Sequence, residues 1–185
     1  MKNLALYDFD HCLTTRDSFL EFLYYCLPKW KVHFIIAMKL PILWLKGARL
    51  FKESVMRSAF HNWDETELAG HAESFAHYRL PEIMKQTVYD DLKSRKDNYE
   101  IYVVSASLDL WLSPWCAAHN IGLICTNFDL KERRITSNNC KGTDKVDRIQ
   151  HSIQLSEFNE IFVAGNLPED DPMLSLGTEK MTVKK

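Results

Sequence analysis

Apolar positions along the chain fall into two kinds of run. Short blocks rich in β-branched and aromatic residues stand at Leu4–Phe9 ("LALYDF"), Glu100–Ser105 ("EIYVVS"), Ile121–Thr126 ("IGLICT") and Glu160–Ala164 ("EIFVA"). Blocks this short, bounded by polar residues, predict buried strands, and Lys180–Val183 predicts a short last one. Elsewhere the apolar residues recur at helical spacing. Ser18-Phe-Leu-Glu21 has the form of a capping box and predicts a helix through Leu27. Asp64-Glu-Thr-Glu67 predicts a second helix start. Leu80-Pro81 opens an amphipathic helix to about Lys96, its proline suited to a first turn. Leu108–His119 and Lys145–Gln154 also read as helices, and Phe128–Thr136 as a polar hairpin.

Strands that alternate with helices predict an α/β fold, a Rossmann-like three-layer α/β/α core on a parallel sheet. The region between the first and second strands, from Asp17 to Tyr78, carries helical signals alone, with Pro28, Pro41 and Gly47 as expected breaks. It is too long for an ordinary crossover, so it is expected to be an inserted all-helical cap. Residues 1–16 and 79–185 then form the core domain and residues 17–78 the cap. No internal repeat or low-complexity tract is visible.

Composition narrows the classes. A hydrophobic share of 46% and a charged share of 26% over 185 residues suit one well-cored soluble protein. A net charge of -2 gives no electrostatic footprint for nucleic acid. Cys12, Cys26, Cys116, Cys125 and Cys140 are odd in number and form no C-x-x-C pair, so neither a disulfide framework nor a structural zinc is expected, and a reducing cytoplasm is. Met1-Lys2-Asn3 leads straight into a strand, without the pattern of a signal peptide. Val32–Leu45 is interrupted by Lys39 and Pro41 and is too short to span a bilayer.

One local bias stands out. Seven Lys or Arg residues lie between Lys29 and Arg57, against a single acid, Glu53. Two readings stay open. In one, a helical subdomain has a solvated basic face while Trp30, Phe34 and Trp44 pack into the core. In the other, those aromatics, with Lys29, Lys31, Lys39 and Lys46, form a peripheral membrane contact that presents an anionic headgroup.

Ligands of open parallel sheets bind beyond the carboxyl ends of the strands. The first strand ends in Asp8 and Asp10, the second in Ser105 and the fourth in Gly165-Asn166, with Lys141 and Lys145 at the start of the preceding helix. Paired carboxylates beside further oxygen donors suit Mg²⁺, which takes one or two carboxylates, waters and phosphate oxygens. A lysine and a hydroxyl would neutralise and hydrogen-bond a phosphoryl group, and an aspartate held there can act as nucleophile.

These segments are similar to a known set of motifs. "DFDHCLT" resembles the first motif, Asp-x-Asp-Gly-Thr, of the haloacid dehalogenase superfamily of phosphohydrolases; "VVSAS" resembles its second motif, "GTDKV" its lysine motif and "AGNLPEDDPML" its acidic fourth. "LTTRDSF", "VVSASLDLWL", "NNCKGTDKV" and "DPML" resemble subfamily IB, which contains phosphoserine phosphatase-like and phosphatidylglycerophosphatase C-like enzymes with a C1-type cap. The resemblance implies an Mg²⁺-dependent phosphatase acting on a phosphorylated small molecule or lipid headgroup. Asp8 would be the nucleophile and Asp10 the acid and base. Asp8, the Asp10 carbonyl and Asn166 would hold Mg²⁺, with Asp170, or alternatively Asp171, in support. Ser105 would hydrogen-bond the phosphoryl group. Lys141 fits a Lys-Gly signature and Lys145 fits the spacing to the fourth motif better. Asp17 falls where relatives contact substrate, and reads equally as a helix-start residue. Arg57 is a candidate anion clamp or a solvated helix arginine.

Three positions depart from the pattern. His11 stands for the usual glycine, Cys12 for the threonine, and Asn166 for an acid. They support a second reading, a weak or inactive relative that binds a phosphorylated ligand or partner.

Overall fold

The computed structural model describes residues 2–184. In chain order, β1 (Lys2–Tyr7) is followed by α1 (Ser18–Cys26), α2 (Lys29–Ala59), α3 (Glu65–Ser74) and α4 (Gln86–Arg95). Then come β2 (Tyr99–Leu108), α5 (Asp109–His119), β3 (Gly122–Thr126), and the short pair β4 (Phe128–Asp129) and β5 (Arg134–Ile135). The chain closes with α6 (Thr143–Ser152), β6 (Phe158–Gly165), α7 (Asp171–Leu174) and β7 (Glu179–Thr182). Five strands make one parallel sheet in the order β3-β2-β1-β6-β7, and β4 and β5 form an antiparallel hairpin.

Strand alternation builds the three layers. Leu4 and Leu6 point to one face, where they meet Val104, Val163, Ile149 of α6 and Met173 of α7. Ala5 and Tyr7 point to the other, into a larger core with Val103, Phe162, Leu92 of α4 and Trp115 of α5. β1 sits at the centre, and the chain moves outward from it on one side and later on the other. The sheet's switch point therefore lies between the carboxyl ends of β1 and β6.

The helical insertion between β1 and β2 is present, with three local differences from the sequence reading. The N-cap of α1 is Asp17, whose side chain accepts from Leu20 N (2.9 Å), not Ser18. Ser18 is the first helical residue because its N–H is taken by Asp10 (2.7 Å). Helix α2 runs through Pro41, which lies exposed, and is broken at Gly47 alone, with φ 81° and ψ 174°. That backbone region is open essentially to glycine. Val32 and Ile35 line one small apolar hollow with Val55 and Ala59, although a straight helix would hold these pairs about 35 Å apart. The chain therefore folds back at Gly47 into a helical hairpin. The helix expected from Leu80 is interrupted after Pro81–Ile83, and α4 starts at Gln86. Met84 and Lys85 are extended there because residues 83–85 pair with residues 13–15, through Thr15 N to Ile83 O (2.8 Å) and Lys85 N to Leu13 O (2.7 Å).

The insertion is fastened at both ends. Glu21 is buried and bridges Arg16 (3.0 Å) before α1 and Arg79 (2.7 Å) after α3. Phe22 stacks on Trp111 of α5, centroids 4.7 Å apart, with Phe60 and Phe75 packed against Phe22.

Candidate active site

Asp8 continues β1 by one bond, its N–H donating to Ala164 O of β6 (2.9 Å), and its side chain is buried. The chain then turns sharply through Phe9–Leu13, with His11 at φ 62° and ψ 0°. This is the left-handed conformation that glycine adopts easily and a larger residue adopts at a cost. Thr14 stabilises the turn: its hydroxyl donates to Arg16 O (2.7 Å) and accepts the His11 N–H (3.3 Å). Lys85 clasps it from outside, Nζ to His11 O at 2.9 Å. Cys12 lies fully buried in the core, and burial, with Asp8 adding, pushes its thiol well above the usual range. That is the setting of a packing residue, not of a nucleophile.

The turn brings Asp8 and Asp10 to one place. Lys145 Nζ donates to Asp8 Oδ1 (2.5 Å) and to Asp170 Oδ1 (2.7 Å). Burial opposes the Lys145 ammonium, but Asp8 and Asp170 outweigh it and hold the amine above its ordinary value. Burial pushes the Asp8 carboxyl up to about 7, with Lys145 pulling it down and Asp170 adding to the rise. Asn166 Nδ2 donates to Asp8 Oδ2 (3.0 Å) and to the Asp10 carbonyl (3.1 Å). Asp170 Oδ2 accepts the Asn166 N–H (2.8 Å). Its side chain lies so close to Gly165 that a Cβ there would come within 2.7 Å of the Asp170 Cβ, so the end of β6 has room for glycine alone.

Asp10 is oriented by the insertion and by β2. Oδ1 accepts Ser18 N at the start of α1, and Oδ2 accepts the Ser107 hydroxyl (2.5 Å). Ser18 Oγ donates in turn to Ser107 Oγ (3.0 Å) and accepts Trp111 Nε1 (3.2 Å). Ser107 is a site residue the sequence reading missed. β2 runs past Ser105, where its register against β3 shifts, and the irregularity carries Ser107 to Asp10.

A cleft of about 270 Å³ opens onto this cluster, lined by Asp8, Asp10, Asp17, Ser105, Lys141 and Lys145 among others. Of the two lysines, Lys145 is buried against Asp8, whereas Lys141 is exposed at the rim and pairs with Glu169 (3.4 Å). Asp170 is buried, while Asp171 is exposed as the first residue of α7. Burial raises the Asp17 carboxyl, Asp10 adding to the effect. Arg57 does not join the others. Its guanidinium donates to Arg133 O (3.0 Å) in the β4–β5 loop and pairs with Glu53 (3.6 Å). The insertion's cation at the cleft is Lys52, which sequence reading passed over; it donates to Ala106 O (2.7 Å). Burial lowers its amine, offset by Asp10 and Asp17. Asn139 also faces the cleft, with its Oδ1 buried and without a hydrogen-bond partner among the described residues. A larger hollow of about 640 Å³ beside α6 and the end of β3 shares no lining residue with this cleft, and its Arg148 is already held by Asp144 (2.7 Å).

The model of the haloacid dehalogenase-like hydrolases matches residues 5–175. The chain belongs to this family. No curated protein matches it. Among solved structures, this haloacid dehalogenase-like hydrolase is similar to a protein of unknown function from Bordetella pertussis Tohama I, at 18% identity and a TM-score of 0.80 over 98% of this chain and 90% of that one. It is similar to phosphoserine phosphatase captured as a phospho-aspartyl intermediate analogue, at 14% identity and a TM-score of 0.66 over 98% and 86% of the chains. A substrate-bound phosphoserine phosphatase matches at 14% identity and a TM-score of 0.60 over the same shares. At these identities the likeness is one of fold: a five-stranded parallel sheet with a long helical insertion.

The hydrolase's own atoms fit a hard divalent cation. Asp8 Oδ2 and the Asp10 carbonyl converge on the Asn166 side chain, and Asn166 Oδ1 is buried with no hydrogen-bond partner among the described residues. A half-turn of the carboxamide would exchange its nitrogen for that oxygen, giving three oxygen donors of the kind Mg²⁺ takes.

Proposed function

We propose that this hydrolase is a phosphatase that cleaves a phosphomonoester through an aspartyl-phosphate on Asp8. The observation that carries the reading is the surrounding of Asp8: a buried carboxylate at the sheet's switch point, touched by Lys145 and Asn166, with Asp10 pinned beside it. The phospho-aspartyl form described for the structurally similar phosphoserine phosphatase supports it.

In this reading a carboxylate oxygen of Asp8 attacks phosphorus as the ester P–O bond breaks. Asp10 gives its proton to the departing alkoxide. Asp10 then takes a proton from water, whose oxygen attacks the same phosphorus, and inorganic phosphate leaves as the Asp8 carboxylate is restored. Ser105 and Lys145 hydrogen-bond and neutralise the phosphoryl oxygens, and Lys52, Asp17 and Asn139 meet the rest of the substrate in the cleft. Mg²⁺, held by Asp8, the Asp10 carbonyl and Asn166, would supply charge neutralisation of the phosphoryl group. The substrate class is a phosphorylated small molecule or a lipid headgroup.

Asp8→Asn keeps the shape of the side chain and removes the nucleophile. It is expected to abolish turnover of an aryl phosphate in excess Mg²⁺ with the circular dichroism spectrum unchanged; retained turnover overturns the reading. The asparagine at position 166 also favours a binding protein without turnover. That reading predicts no hydrolysis across a phosphatase panel, together with thermal stabilisation by phosphorylated ligands.

A further inference from the structure

The basic stretch before Gly47 raised two readings, and the structure separates them. Trp30 is 73% exposed, Trp44 85% and Leu45 81%, and Phe34, Met38 and Leu40 are exposed as well. None of these side chains packs into the core. Val32 and Ile35, on the opposite side of the same helix, do that, against Leu23, Leu27, Val55 and Ala59.

The exposed residues are ordered. Trp30, Phe34, Met38, Pro41 and Leu45 recur every three or four residues, and Trp44 lies beside them. At about 100° per residue they cover a strip about 120° wide and about 22 Å long. A strip of this size on a protein surface marks a binding face. We infer that this outer face of α2 lies in the headgroup region of an anionic lipid bilayer.

Charge selects that occupant. From Phe22 to Lys52 the chain holds no carboxylate, while Lys29 and Lys31 flank the first turn of the strip; Lys39 and Lys46 lie toward the other side of the helix. Two copies meeting through such faces would bring like charges together, whereas anionic headgroups neutralise them. A tryptophan stands near each end of the strip, Trp30 and Trp44, and tryptophan favours the boundary between apolar and polar lipid. The helix lies on the surface and does not cross it, since its other face is buried in the protein and no described helix is long and apolar enough to span. The strip also runs into the hairpin bend at Gly47, and the residues just after it, Ala48 and Lys52, line the cleft. A lipid surface under the strip would therefore lie beside the mouth of the cleft. The docking itself does not depend on the catalytic reading.

The test is co-sedimentation of the full chain with vesicles of phosphatidylcholine containing a minority of phosphatidylglycerol. Binding is expected at low salt, weaker in pure phosphatidylcholine and weaker again at high salt. Trp30→Ser with Trp44→Ser should lower the partition coefficient about tenfold or more while leaving the thermal melting curve in place, because both side chains are exposed. Lys29→Gln with Lys31→Gln should flatten the salt dependence. No sedimentation with anionic vesicles overturns the inference. So does a concentration-dependent dimer, seen by light scattering, that the two tryptophan substitutions abolish, because it makes the strip a self-interface.

Discussion

Asn166 shows how much one amide can change a site. An aspartate there would repel Asp8, at the position where the carboxamide nitrogen now bridges Asp8 Oδ2 and the Asp10 carbonyl. The amide keeps the two strand ends together without a cation, but it brings one negative charge fewer to any cation that arrives. Asn166→Asp is therefore expected to lower the Mg²⁺ concentration at half-maximal activity; an unchanged midpoint removes Asn166 from the ligand set. Asp8 adds a pH dependence. Its carboxyl is pushed up to about 7 by burial, so below that pH a cation must displace a proton. The Mg²⁺ concentration that gives a fixed rise in melting temperature should grow about tenfold for each pH unit below 7 and level off above it. A flat profile between pH 5.5 and 8 would mean that Asp8 is ionised throughout.

At the scale of elements, strand ends were easier to read than helix faces. Asp8, Asp10, Ser105 and Asn166 could be placed because residues at the carboxyl edge of a parallel sheet share one location whatever the details of packing. Ser107 could not, because the alternation of β2 is broken where its register shifts. Lys52 was hidden for another reason. Periodicity says that a helix has faces and does not say which face a neighbour takes, and the fold-back at Gly47 decides it. The same limit left Trp30 and Trp44 undecided between core and surface. The placement of Lys52 gives a prediction at this scale. Lys52→Gln removes a cleft cation that does not touch Asp8, so KM is expected to rise roughly tenfold while kcat changes less. Equal losses in kcat and kcat/KM would show that Lys52 acts in the chemical step.

Across the whole molecule, the inserted helices and the sheet share one apolar core. The division of the chain into core and insertion is clear along the sequence, but its energetic counterpart is not: Phe22 and Phe75 of the insertion surround Trp111 of α5 in a shared aromatic cluster. Glu21 closes the other side by holding arginines from both connecting segments. Phe22→Ala should cost about 3–5 kcal/mol in urea unfolding and still give one transition. Two separate transitions would show that the insertion folds as a unit of its own.

The position of β1 has a consequence for the newborn chain. The strand that leads into Asp8 is made before its partners, pairing with β2 from residue 99 onward and with β6 from residue 158 onward. Until those residues leave the ribosome, "LALY" has no neighbours along either edge, and its apolar side chains await cover. Asp8 meets Lys145 and Asn166 only after residue 166 has emerged, so a chain released before then would expose a sticky strand and carry no assembled site.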